Sequence, residues 1–141
     1  MIFAGLNYLA IVIAAVVAWL ASAGWYMSLG TVYQAALGKT PEQCKEEMKR
    51  PGAFLPFVYA LLANIIIAWV LAGVLGHLGP GQVTLKNGLI SAAFLWFGFI
   101  FTTLFVNYSF HGRGMQLILI DLGNWLIVLL VMGAVVGWMG V

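Results

Sequence analysis

Met115-Gln116-Leu117-Ile118-Leu119-Ile120-Asp121-Leu122-Gly123-Asn124-Trp125-Leu126-Ile127-Val128-Leu129-Leu130 reads as a membrane helix with one acid inside it. An aspartate at the bilayer centre costs about 2.5–3.5 kcal/mol on the insertion scale, against about −0.3 to −0.6 kcal/mol for each Leu, Ile or Val. The apolar residues outweigh Asp121, so the stretch still inserts. Its carboxylate must then face protein or water and not acyl chains, which predicts other helices packed beside it.

Composition extends that reading to the whole chain. Of its 141 residues, 64% are hydrophobic and 7% charged. A soluble domain carries about 25% charged residues, and the few charges here cannot cover a water-facing surface. Four runs reach the roughly 20 apolar residues that cross a bilayer: 2–25, 53–75, 84–106 and 115–139. Backbone groups in lipid must be satisfied within the segment, so each run is expected to be helical. None alternates with the period of two that a barrel strand needs. The expected fold is all-α, a single four-helix transmembrane domain spanning 1–141. The first run lacks a basic start and exceeds the usual length of a signal-peptide core. It is expected to be a retained helix, although Ala21-Ser22-Ala23 resembles a cleavage site.

Gly76-His77-Leu78-Gly79-Pro80-Gly81 and His111-Gly112-Arg113-Gly114 punctuate two short turns. The longest connection, about 27–52, holds most of the charge. Within it Thr40-Pro41-Glu42-Gln43 has the form of a capping box with proline at the first helical position. A short helix is expected there, ending near Lys49. Lys39, Lys45, Lys49, Arg50 and Arg113 fall on one side of the bundle and Lys86 on the other. The positive-inside rule then puts the long loop in the cytoplasm and both termini outside. Trp25, Tyr26 and Trp138 are placed to anchor at the interfaces. Gly133 with Gly137, and Ala14 with Ala18 and Ser22, form small-residue stripes that let backbones approach closely, within the bundle or between protomers.

Depth counted at about 1.5 Å per residue from the charged end places polar residues of several helices in one layer. Asp121, Asn124, Asn64, Tyr59, Thr102 and Thr103 form this expected intramembrane polar cluster, with Ser22 at the same level. Asp121 has two readings. In the structural one it accepts hydrogen bonds from Tyr59, Asn64 or Asn124, or pairs with Arg113 or Arg50. In the functional one it lines a cytoplasm-facing cavity for a cation, a proton or a small polar solute.

Other chemistry is sparse. His77 and His111 lie in loops on opposite faces and cannot share a metal, and no helix offers a histidine ligand for haem or chlorophyll. His111 and Arg113 are candidates for contact with an anionic headgroup or a partner. Cys44 is the only cysteine, which excludes an internal disulfide and a cysteine-based metal cluster. No basic, aromatic-interleaved stretch suggests nucleic acid. No cofactor, metal or catalytic group is expected, and the chain is not expected to be an enzyme.

Gly24-Trp25-Tyr26, Ala36-Leu37-Gly38, Leu95-Trp96-Phe97-Gly98-Phe99, His111-Gly112-Arg113 and Ile120-Asp121-Leu122-Gly123 carry a resemblance over nearly the whole chain. It resembles small bacterial four-helix membrane proteins of the domain-of-unknown-function family seventeen-sixty-one. The resemblance implies a four-helix protein of the bacterial cytoplasmic (inner) membrane and carries over no catalytic role. The expected function is a non-catalytic integral membrane subunit or interaction protein in the lipid bilayer, self-associating as a homo-oligomer or packed against other membrane subunits. The alternative is a small channel or transporter component with a polar cavity around Asp121.

Overall fold

The structure, a computed structural model, describes residues 5–141. Its helices are α1 (Tyr8–Ser28), α2 (Gly30–Ala36), α3 (Pro41–Met48), α4 (Leu55–Gly76), α5 (Leu85–Leu95), a π-helical turn (Trp96–Phe101), α6 (Thr102–Phe110) and α7 (Met115–Met139). Among the described residues, α1, α4, the continuous helix Leu85–Phe110 and α7 are long and apolar enough to cross a membrane. The fold is all-helical, as expected.

The first helix begins later than its apolar run. Asn7 caps it, its Oδ1 accepting the Ala10 N–H at 3.1 Å. The early part of the expected span, through residue 4, lies outside the described residues. At the other end α1 continues to Ser28, so Trp25 and Tyr26 belong to its last turn and not to a flanking belt. The third helix also overruns its expected end at residue 106, reaching Phe110 through Asn107, Tyr108 and Ser109. The loop contains two helices, not one. α2 follows α1 almost without a break, and the expected α3 is present with its capping box. Thr40 Oγ1 accepts from Gln43 N at 3.2 Å, and Gln43 Oε1 accepts from Thr40 N at 2.9 Å. Lys39 and Glu47 close this hairpin with an ion pair of 2.7 Å, and the carboxyl of Glu47 is held below the usual range by that bond.

α7 is the central helix. It packs along α1 on one side and α5 on the other, while α4 leans mainly on α1. Hydrophobic driving force is absent between helices in lipid, so close van der Waals fit must do the work. The core is accordingly built from small side chains: Ala14 and Ala18 of α1, Ala68 and Ala72 of α4, and Ala92 of α5 surround Val128, Met132 and Val136 of α7. The bulky apolar residues face outward instead, among them Leu20, Ile66, Phe94, Phe97 and Phe99. Such a surface suits acyl chains and not water.

The glycine stripe of α7 is consumed inside the bundle. A Cβ on Gly133 would run into the Gly88 carbonyl oxygen, and one on Gly137 into the Thr84 carbonyl oxygen. Gly88 in turn lies against the Gly133 backbone. Helices α5 and α7 cross at backbone contact because no side chain stands between them. Between α4 and the π turn an apolar groove of about 340 Å³ is left, lined in part by Ile66, Val70, Phe99 and Ile100.

Candidate functional site

Asp121 sits on α7 with 6% of its surface exposed. Each of its oxygens accepts one phenol. Tyr26 of α1 donates to Oδ1 at 2.6 Å, and Tyr108 of α6 donates to Oδ2 at 2.9 Å. Three helices therefore meet on one carboxylate, close to the charged end of the bundle. Helical spacing explains the α1 side. Ser22 and Tyr26 are four apart on α1, and Asp121 and Asn124 three apart on α7, so each pair shares a face. The helices run antiparallel, so Tyr26 meets Asp121 while Ser22 meets Asn124, its hydroxyl donating to Asn124 Oδ1 at 2.7 Å.

Two tryptophans brace the same turn of α7. Trp25 Nε1 donates to the Ile120 carbonyl at 3.0 Å, and Trp96 Nε1 donates to the Leu122 carbonyl at 3.0 Å. The Trp25 indole lies over Gly123: a Cβ there would stand 2.7 Å from Cζ2 of the ring. Glycine at this position is what lets the indole close on the helix. Outside the membrane-length helices, Tyr33 of α2 packs on Tyr26 with ring centroids 4.7 Å apart. Its phenol is pushed up, first by burial and next by the Asp121 carboxylate.

Of the residues expected in the cluster, Asp121, Asn124 and Asn64 are buried, but the expected donors to Asp121 are not the ones used. Asn124 bonds Ser22. Asn64, 3% exposed, continues the inner face of α4 that carries Ala68 and Leu71. Tyr59 does not join the cluster: it is 61% exposed. Five residues at about 100° each turn it some 140° away from Asn64, onto the outer side of α4. Thr102 and Thr103 also face outward. The Thr102 hydroxyl is satisfied by its own helix, donating to the Gly98 carbonyl at 2.8 Å. Arg50, His111 and Arg113 are exposed at the charged end and hold no ion pair to Asp121.

Tyr26, Trp25, Trp96 and Tyr108 are the residues that sequence reasoning missed. The first two look like interface anchors by position alone. Their signal was the matched pairing of Ser22 and Tyr26 with Asn124 and Asp121 across two antiparallel helices. Trp138 is 80% exposed at the far end of α7.

Chemically, the site is a hydrogen-bonded tie. A carboxylate can accept more than one donor at each oxygen, and here the two donors come from separate helices. Among the described residues, no three His, Cys, Asp or Glu side chains gather to hold a metal ion. No buried side-chain nitrogen or oxygen among them lacks a hydrogen-bond partner.

No curated protein and no solved structure matches the chain. A family model described as "Protein of unknown function (DUF1761)" matches residues 9–137, from the start of α1 to the last turns of α7, and so takes in all four membrane-length helices and the Asp121 tie. By that match the chain belongs to the DUF1761 family.

Proposed function

We propose that this protein works by packing and not by catalysis, as an integral membrane subunit or interaction protein that self-associates or sits beside other membrane chains. The observation that carries the reading is the closed Asp121 tie. The one acid within the membrane-length helices has both oxygens engaged by tyrosines of neighbouring helices, so it serves helix register. The third helix supports it further: 6% of its apolar window is buried against the rest of the chain, compared with 50% for α7. Its outward face carries Phe97, Phe101 and Phe105 in a stacked row with centroids 5.4 and 5.8 Å apart. The excess of Lys and Arg at the loop end favours that end inside and the termini outside, in the bacterial cytoplasmic membrane that the family resemblance implies.

A second reading, a channel or transporter component, draws on the polar layer that Ser22, Asn64, Asp121 and Asn124 form in one half of the bundle. Reconstitution separates the two. Under the packing reading, Asp121→Asn leaves ion and solute fluxes of loaded vesicles unchanged while native-detergent purification yields a homo-oligomer or a larger complex. A flux present in the parent and lost in Asp121→Asn would overturn it in favour of transport.

A further inference from the structure

The π turn has no evident local cause. It contains no proline, and Gly98 within it has open space around it. A π turn bonds i to i+5 and so accommodates one residue more than the α-helix it interrupts. Its effect is on what lies beyond it.

Three contacts tie the third helix to α7: the Gly88 and Ala92 crossing, the Trp96 indole on Leu122, and the Tyr108 phenol on Asp121. In an unbroken α-helix each residue advances about 100°. From Gly88 to Tyr108 is twenty residues, so Tyr108 would lie about 200° round from Gly88, nearly opposite, and about 120° from Trp96. Taking one residue out of the count reduces these offsets to about 100° and 20°. Trp96 and Tyr108 then share one face, with Leu104 between them. The outward positions agree: Phe94, Phe97, Phe99 and Val106 are all exposed, whereas Gly88 and Ala92 are buried and Trp96, Leu104 and Tyr108 partly so.

We propose that the π turn at Trp96–Phe101 is a one-residue register insertion that turns Tyr108 toward Asp121 while the glycine crossing stays in place. Two features hold the turn. The Thr102 hydroxyl takes up the Gly98 carbonyl at 2.8 Å, and Phe101 stacks between Phe97 and Phe105. The proposal rests on helix geometry and stands apart from the functional reading above.

Deletion tests it. Removing Gly98 takes out the extra residue, so the helix closes to regular α while Trp96 and Tyr108 keep their common face and Gly88 its angle to them. Removing exposed Ile90 instead rotates Gly88 away from Ala92 and Trp96 at the crossing. The readouts are yield and thermal midpoint in detergent, with Tyr108→Phe and Trp96→Phe introduced into the parent and into the Gly98 deletion. The expected result is a folded Gly98 deletion, an Ile90 deletion that is lost or strongly destabilised, and the same midpoint drop from Tyr108→Phe and from Trp96→Phe in both backgrounds. A Gly98 deletion as damaging as that of Ile90 would overturn the proposal. So would a Tyr108→Phe drop that vanishes in the deletion, an Ile90 deletion that is tolerated, or a parent indifferent to both aromatic substitutions.

Discussion

Gly88→Ala puts the backbone crossing of α5 and α7 under direct load. The added methyl carbon would overlap the Gly133 carbonyl, with Gly133 C at 2.9 Å and Gly137 Cα at 3.2 Å. Comfortable carbon contacts begin at about 3.5 Å. All of these neighbours are backbone atoms, so no rotamer change relieves the overlap and the helices must move apart. Overpacking costs about 1–3 kcal/mol, and a rigid obstacle places this case near the top. Replacing glycine by alanine within a helix returns about 1 kcal/mol of propensity. The net effect is a loss of about 2 kcal/mol. Gly73→Ala is the matched control, because nothing lies within 4 Å of its added methyl. It should gain up to about 1 kcal/mol. The same chemical change thus has opposite signs at two helical sites, about 3 kcal/mol apart. Equilibrium unfolding in mixed micelles, followed by helical circular dichroism against added denaturing detergent, measures both. Equal shifts for the two variants would refute the crossing as the close contact that sets the α5–α7 distance.

The tie at Asp121 makes graded predictions. Asp121→Asn should lower stability by about 0.6 kcal/mol and at most about 1.7 kcal/mol, the range of buried polar contacts between membrane helices. Asp121→Leu strands both phenols at about 1–3 kcal/mol each, and adding Tyr26→Phe and Tyr108→Phe should recover much of that in the same unfolding assay. The folded state raises the Tyr33 phenol above its unfolded value of about 10. Its contribution is therefore fully present below pH 10 and is lost as pH climbs through the folded value. Stability measured from pH 9 upward should fall less steeply in Tyr33→Phe than in the parent; identical slopes would count against the burial of Tyr33 on Tyr26.

The membrane-length helices, the α3 capping box and the need to shield Asp121 were all legible from local sequence. Each depends on a property of one segment: apolar length, a short polar motif, or the cost of a charge in hydrocarbon. The partners of Asp121 depend on two segments at once. Tyr59 was expected near it from depth alone, but depth says nothing of the direction in which a helix turns its side chains. Tyr59 and Asn64 lie at neighbouring depths on opposed faces of α4. Tyr26 was read as an anchor because it stands near the end of an apolar run, where a tyrosine facing lipid and one facing α7 look the same.

Apolar length and the single acid of α7 thus prescribed a helical membrane protein that keeps a carboxylate away from acyl chains. Which hydroxyls reach that carboxylate, and which helices the glycines bring into contact, was settled by the assembled bundle. Rotation about each helix axis is decided by the neighbours it packs against, and in the third helix one extra residue in a π turn is enough to change which face meets α7.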